Sequence, residues 1–199
     1  MKRITVDEFY AMIEKNPSVF EHWDTPLEII EYVDCKNHSN ITHLSPHLTF
    51  SGNNENGDVA NFKGCPNLKI ATGIFNGGIW FANSGIQKIE ALTVTQPDNN
   101  GWAATFALCE NLQIASGNYA GTVLFSGCGI HSIQNLHIHT PNADGEYAAF
   151  QDCPNLKTLE GWDLSKKIQI EPEKLAAEKE RRAIQKFHRK TQPEELPFL

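Results

Sequence analysis

Apolar positions along the chain recur on a compound period. Phenylalanine stands at Phe62, Phe81, Phe106, Phe125 and Phe150, with spacings of 19, 25, 19 and 25 residues. Three residues after each comes a small side chain: Cys65, Ser84, Cys109, Cys128 and Cys153. An aliphatic residue follows, three positions on at Leu68, Leu112 and Leu156, but only two positions on at Ile86 and Ile130. The shortened steps recur together, so the unit is a pair of unequal coils, 44 residues long. Residues 62–105 align with 106–149 at 16 identical positions without a gap, including Asn67/Asn111, Gly73/Gly117, Gly77/Gly121 and Gly101/Gly145. The unit extends outward on both sides: Ile41, Leu44 and Leu48 match Ile86, Ile89 and Leu92, while Cys153, Asn155, Leu156 and Gly161 close a last short coil.

Each coil has too few apolar residues to bury a core alone, so stacking of neighbours must supply one. Leu48-Thr49-Phe50-Ser51, Leu92-Thr93-Val94-Thr95 and Leu136-His137-Ile138-His139 alternate as short strands do, which predicts one parallel sheet along one face. After each strand comes Asn56-Gly57, Asn100-Gly101 or Asp144-Gly145, dipeptides that tolerate positive φ and mark tight turns stacked at one edge. At the N-terminus Thr5 and Glu8 form a capping box opening a helix with Phe9, Met12 and Ile13 as its apolar stripe, ended by Asn16-Pro17. A short turn or helix around 19–23 and a strand over 27–33 complete a terminal cap. At the other end a helix is expected from Glu173 to about Arg189, after Pro172. Its Leu175 and Ile184 fall on opposite sides, so the helix docks in part at most. The expected fold is an α+β solenoid with one parallel sheet: residues 1–40 a helical N-terminal cap, 41–168 a stack of about six coils, 169–199 a charged helix and tail.

The stretches FKGCPNLKI, FALCENLQI, FSGCGIHSI and FQDCPNLKTL resemble the leucine-rich repeat family, in particular the bacterial variant that reads F-x-x-C-x-x-L-x-x-I. The resemblance covers about 125 of the 199 residues. It implies a leucine-rich-repeat-like stack serving as a protein-binding scaffold, since this family includes very few enzymes.

Composition narrows the setting. Hydrophobic residues make up 40% of the chain and charged ones 21%, the profile of a globular protein. No run of about 18 apolar residues offers a membrane span. The start, MKRITVDEFYAMIEKN, lacks the apolar region of a secretory signal, so a cytoplasmic location is expected. Seventeen Lys and Arg against 24 Asp and Glu give a net charge of −7, which argues against direct nucleic-acid binding and for a partner with basic character. Residues 171–199 alone carry seven basic and six acidic side chains, so the acidic excess belongs to the rest of the chain.

Candidate chemistry is sparse. Five cysteines with no Cys-x-x-Cys pair suit neither a disulfide framework nor a zinc site, and Cys65, Cys109 and Cys153, one period apart, are expected to pack as a core ladder. Asn67, Asn111 and Asn155 are expected to bridge backbone groups between coils. No Ser-His-Asp order, nucleophile elbow or phosphate-cradling loop is present, and neither cofactor nor metal is expected. His137 and His139 share one strand face, where the equivalent residues are Thr93 and Thr95, and this stripe is the leading candidate for partner binding. Lys69, Gln113 and Lys157 join it, together with Trp102 and Tyr147, large aromatics at positions the other coils fill differently and favoured anchors of interfaces. The tail Glu194-Glu195-Leu196-Pro197-Phe198-Leu199 is similar to the acidic, Pro-Phe-ended tip of bacterial single-stranded-DNA-binding proteins, making Leu196, Pro197 and Phe198 a candidate docking peptide. The sequence therefore predicts a non-catalytic protein–protein interaction module of bacterial or phage origin. Two alternatives stand beside it: a metal-dependent or hydrolytic enzyme built on His137 and His139, and a phage-type inhibitor that mimics DNA.

Overall fold

A computed structural model describes residues 1–191. In chain order the strands are β1 (Lys2–Ile4), β2 (Leu27–Ile29), β3 (Val33–Asp34), β4 (Leu48–Phe50), β5 (Asp58–Asn61), β6 (Ile70–Phe75) and β7 (Gly78–Trp80), then β8 (Lys88–Val94), β9 (Trp102–Thr105), β10 (Ile114–Tyr119), β11 (Thr122–Leu124), β12 (Ser132–Ile138), β13 (Glu146–Ala149) and β14 (Lys167–Gln169). Two helices, α1 (Val6–Lys15) and α2 (Pro172–Thr191), lie near the ends. The chain is α/β with two parallel seven-stranded sheets. The front sheet runs β1-β2-β4-β6-β8-β10-β12 and the back sheet β3-β5-β7-β9-β11-β13-β14. From β2 to β13 consecutive strands enter opposite sheets, so each coil lays one strand on each face.

The second sheet corrects the expectation of an α+β chain with a single sheet. Its strands are three or four residues long in β5, β7, β9, β11 and β13, too short for alternation to register in the sequence. Likewise, residues 27–33 are not one strand. Leu27–Ile29 pairs with β4 in front, the chain turns, and Val33–Asp34 pairs with β5 behind.

The 19/25 alternation has a visible cause. Seven residues join β4 to β5, β8 to β9 and β12 to β13, but only two join β6 to β7 and β10 to β11. The long turns are three copies of one device. Asn54 Oδ1 accepts from the amides of Asn56 and Asp58, Asp98 Oδ1 from those of Asn100 and Trp102, and Asn142 Oδ1 from those of Asp144 and Glu146, all at 2.8–3.0 Å. Gly57, Gly101 and Gly145 follow at positive φ, and the Asn99 amide bonds the Asn56 carbonyl at 2.9 Å, tying adjacent long turns together as expected.

The phenylalanines form a continuous inner column. Rings of Phe62, Phe81, Phe106, Phe125 and Phe150 stack with successive centroid distances of 5.6, 5.2, 5.3 and 5.2 Å and interplanar angles of 7–17°. Side chains from the front sheet meet the column edge-on, including Phe50 against Phe62 at 5.9 Å and Tyr119 against Phe106 at 6.4 Å. The N-terminal end is closed by α1, whose capping box forms as the sequence predicts and whose Phe9 packs edge-on against Phe50 at 5.9 Å. Trp162 closes the other end, 5.9 Å from Phe150 and nearly perpendicular to it.

Two residues after each Phe the backbone turns left-handed. That position holds Gly64, Asn83, Leu108, Gly127 and Asp152, preceded by Asn37 in the first coil. Leucine is poorly suited to it, and Leu108 is also 58% exposed. Leu108→Asn is therefore expected to raise stability by about 1 kcal/mol, read as a higher urea midpoint at unchanged slope.

Over the residues whose side chains are described, α2 docks through Leu175, Glu178 and Arg182 and leaves Ile184 outward, in agreement with the split read from Leu175 and Ile184. Leu175 is partly buried against the core, whereas Ile184 is 51% exposed. The anchor is Glu178, buried, which accepts from Arg181 Nη2 at 2.7 Å, Arg182 Nε at 2.6 Å and the Leu159 amide at 3.4 Å. Arg182 also donates to the Leu159 and Trp162 carbonyls. Arg181 first, then Arg182, hold the Glu178 carboxyl down at about 2. A lowered carboxyl contributes stability above its unfolded value and loses it as pH falls. Docking of α2 is thus expected to be complete above about pH 4.5 and to weaken towards pH 2. Glu178→Gln should remove that dependence and speed amide exchange in α2 at neutral pH, with the Phe column unaffected.

Candidate functional site

The outer face of the front sheet is set by strand register. Arg3, Glu28, Thr49, Ile74, Thr93, Asn118 and His137 lie in one row across its seven strands, each paired with its neighbour. Inward rows on either side hold Leu48, Gly73, Leu92 and Leu136, and Phe50, Phe75, Val94, Tyr119 and Ile138. Thr93 and His137 therefore share a face as the alternation predicts, with Asn118 between them. Past the ends of β8 and β12, Thr95 and His139 continue that face. Thr95 Oγ1 donates to Asn76 Oδ1 at 2.9 Å, and the His139 ring, through Nε2, bonds Asn118 Oδ1 at 2.7 Å.

Four of the front strands carry an extra kink at a common level. Gly73 in β6, Ala91 in β8, Gly117 in β10 and Asn135 in β12 all have positive φ, and the register slips at Gly73 and Gly117. Bulges bend a strand and re-aim its side chains. Here they line a trough across β8, β10 and β12. One part, of about 280 Å³, is walled by Gln87, Lys88, Gln113 and Gln134. The next, of about 330 Å³, is walled by Thr93, Asn118 and His137. Both parts share Ile89, Ser116 and Asn135, so the trough is continuous and rich in side-chain amides.

The remaining candidates fall elsewhere. Gln113 joins the trough at the foot of β10. Lys69 and Lys157, two periods apart, donate to the carbonyls of Pro66 at 3.1 Å and Pro154 at 2.7 Å, Lys69 at the corner that precedes β6. Trp102 and Tyr147 belong to β9 and β13 in the back sheet. Trp102 exchanges hydrogen bonds with Asp98 in the long turn, and Tyr147 lies under the Lys166 ammonium, 4.9 Å from the ring centre. These two aromatics thus occupy the face opposite Thr93 and His137. Leu196, Pro197 and Phe198 lie outside the described residues.

All five cysteines are buried and unbonded to each other. Cys109, Cys128 and Cys153 thiols donate to the carbonyls of Phe81, Phe106 and Phe125 at 3.0–3.2 Å. Burial raises every one of these thiols, Cys65 to about 11, so the nucleophilic thiolate is suppressed. Asn67 and Asn155 bridge to the Ser39 and Gly129 carbonyls, the structural part assigned to them from sequence. Among the described residues no group of three His, Cys, Asp or Glu side chains converges as a metal site would require.

Comparison with family models, with curated proteins and with solved structures gave no match. Among the described residues no helix is long and apolar enough to cross a membrane.

What sequence reading missed is the turn ladder of Asn54, Asp98 and Asn142. Its signal was available, an Asx residue recurring every 44 positions three residues before the turn glycine. Burial chiefly raises the Asp98 carboxyl, against the hydrogen bonds it accepts, and the nearby Asp58 charge adds to the effect.

Proposed function

We propose that this chain is a non-catalytic solenoid module that binds another protein through the outer face of its front sheet. One observation carries the reading. The inward rows stay apolar or small from coil to coil, while the outward row changes from Thr49 to Ile74, Thr93, Asn118 and His137 over a trough lined by amides. Core packing dictates the inward residues and places no such demand on the outward ones. A rigid stack with a variable polar face is the arrangement by which repeat modules recognise partners. Asparagine and glutamine offer both donors and acceptors, suited to the polar groups of a protein surface. The resemblance to leucine-rich repeats points the same way, and the net charge of −7 favours a partner of basic character in a bacterial or phage setting.

Arginine at both Thr93 and Asn118 places two long cations in the trough. This double variant is expected to bind the captured partner at least tenfold more weakly, with its circular dichroism unchanged. Trp102→Ala, in the back sheet, should leave affinity intact. Equal weakening by the back-sheet change and none by the arginines would overturn the assignment of the face.

A further inference from the structure

The front sheet stops one strand before the back sheet does. The back sheet runs on to β14, whereas the front ends at β12. The 44-residue period shows what stands in the missing place. Gly73 and Gly117 mark the kinks of β6 and β10, and Gly161 is their equivalent, so residues 158–163 occupy the stretch that would form the next front strand. Instead the Trp162 amide turns back to the Leu159 carbonyl at 3.0 Å, and its ring folds over Phe150. The core is closed, but the sheet is not.

The edge of β12 is consequently left as a template. The His139 amide bonds the Tyr119 carbonyl, so the parallel ladder turns the peptide groups of Leu136 and Ile138 away from β10. Beside them runs a groove of about 320 Å³, with His137 and His139 on the strand side and Trp162, Asp163 and Lys166 opposite. Among the described residues, one hydrogen bond reaches the outward groups of Leu136 and Ile138: Lys166 Nζ donates to the Ile138 carbonyl at 2.5 Å. That ammonium also stands over the Tyr147 ring, and among the described residues it forms no ion pair. The Asp163 carboxylate in the same groove is taken by the Ser165 amide and hydroxyl. Among the described residues the groove thus presents a row of open backbone groups and a cation without a carboxylate partner.

We propose that the β12 edge accepts an extended, acidic segment of a partner protein as an eighth strand of the front sheet. The incoming backbone takes over the Ile138 carbonyl, and a carboxylate of the segment pairs with the displaced Lys166. Strand addition of this kind draws affinity from main-chain hydrogen bonds and specificity from alternate side chains. Until it occurs, Lys166 shields an edge that would otherwise pair with other copies. The inference rests on the binding-module reading and adds to it the conformation of one segment of the partner, with a local carboxylate on a surface otherwise of basic character.

Phage-displayed random octapeptides panned against the intact chain test it. Enriched sequences should be proline-free at alternate positions and carry Asp or Glu. A synthetic peptide from that pool should shift the amide resonances of Leu136 and Ile138 and slow their exchange at least tenfold. Replacing its carboxylate by the amide should weaken binding about tenfold, and N-methylation of its backbone should abolish binding. Absence of enrichment, binding indifferent to N-methylation, or shifts confined to Thr93 and Asn118 would overturn strand addition. The last result would leave the proposed binding face standing, so the two readings fail separately.

Discussion

Alanine in place of Phe106 is expected to remove about 3–5 kcal/mol of unfolding free energy, the largest loss of any single substitution considered for this chain. The ring is fully buried and sits mid-column, 5.2 Å from Phe81, 5.3 Å from Phe125 and edge-on to Tyr119. Its removal opens a void between backbones that the parallel ladders hold in place, so the walls cannot collapse into it. The Phe106 amide donates to the Leu124 carbonyl at 2.7 Å and continues the back-sheet ladder around the corner, which further limits relaxation. Domains are commonly stable by only 5–15 kcal/mol, so the loss is a large share of the total. In a stack whose coils touch the next coil and, at the long turns, the next but one, a central defect also weakens the coupling of the two halves. Urea unfolding should show a lower midpoint and a broadened or split transition. A loss below about 1 kcal/mol would mean that the column is not close-packed.

Gly85→Ala should come second, at about 3 kcal/mol. Gly85 lies in the shortened corner between β7 and β8, where its amide bonds the Cys65 carbonyl at 2.9 Å. A Cβ there would stand 2.0 Å from the Pro66 carbonyl oxygen and 2.8 Å from its carbon. Both are backbone atoms, so no side chain can swing away. Gly129, 44 residues on, faces the Glu110 carbonyl oxygen at the same 2.0 Å. The missing residue between Ser84 and Ile86 therefore draws the corner against its neighbour, and glycine is the condition for the close approach. Gly145→Ala makes the contrast: nothing lies within 4 Å of its added Cβ, so its penalty is conformational alone and smaller. Equal effects from the two substitutions in urea unfolding would contradict this account of the shortened corner.

These residues also show how far the sequence could be read. The phenylalanine column was legible because one residue type recurs at fixed intervals and burial tolerates little else there. Thr93 and His137 were legible as a shared face because Leu92-Thr93-Val94 and Leu136-His137-Ile138 alternate cleanly. Ile74 and Asn118 belong to the same row but were not seen, because the kinks at Gly73 and Gly117 interrupt alternation within β6 and β10. The back sheet escaped notice for a related reason: Asp58-Val59-Ala60-Asn61 is four residues long and carries its own register slip. Strand β1 (Lys2–Ile4) was also unread, since three residues hold no period and each of its residues pairs with one 25 positions on, Lys2 with Leu27 and Ile4 with Ile29. Tyr147 and Trp102 stand out in the sequence as large aromatics at positions the other coils fill differently. Sequence could not place them on the back sheet, because their side was fixed by a sheet whose existence the pattern concealed.

The central claim is that the front face, and not the back, meets the partner. A photo-crosslinking side chain placed in turn at Asn118, at Thr93 and at Trp102, with capture from the cells the protein comes from, tests it most directly. The account predicts one discrete adduct of the same mass at Asn118 and Thr93 and none at Trp102. An adduct at Trp102 with none at Asn118 would contradict it.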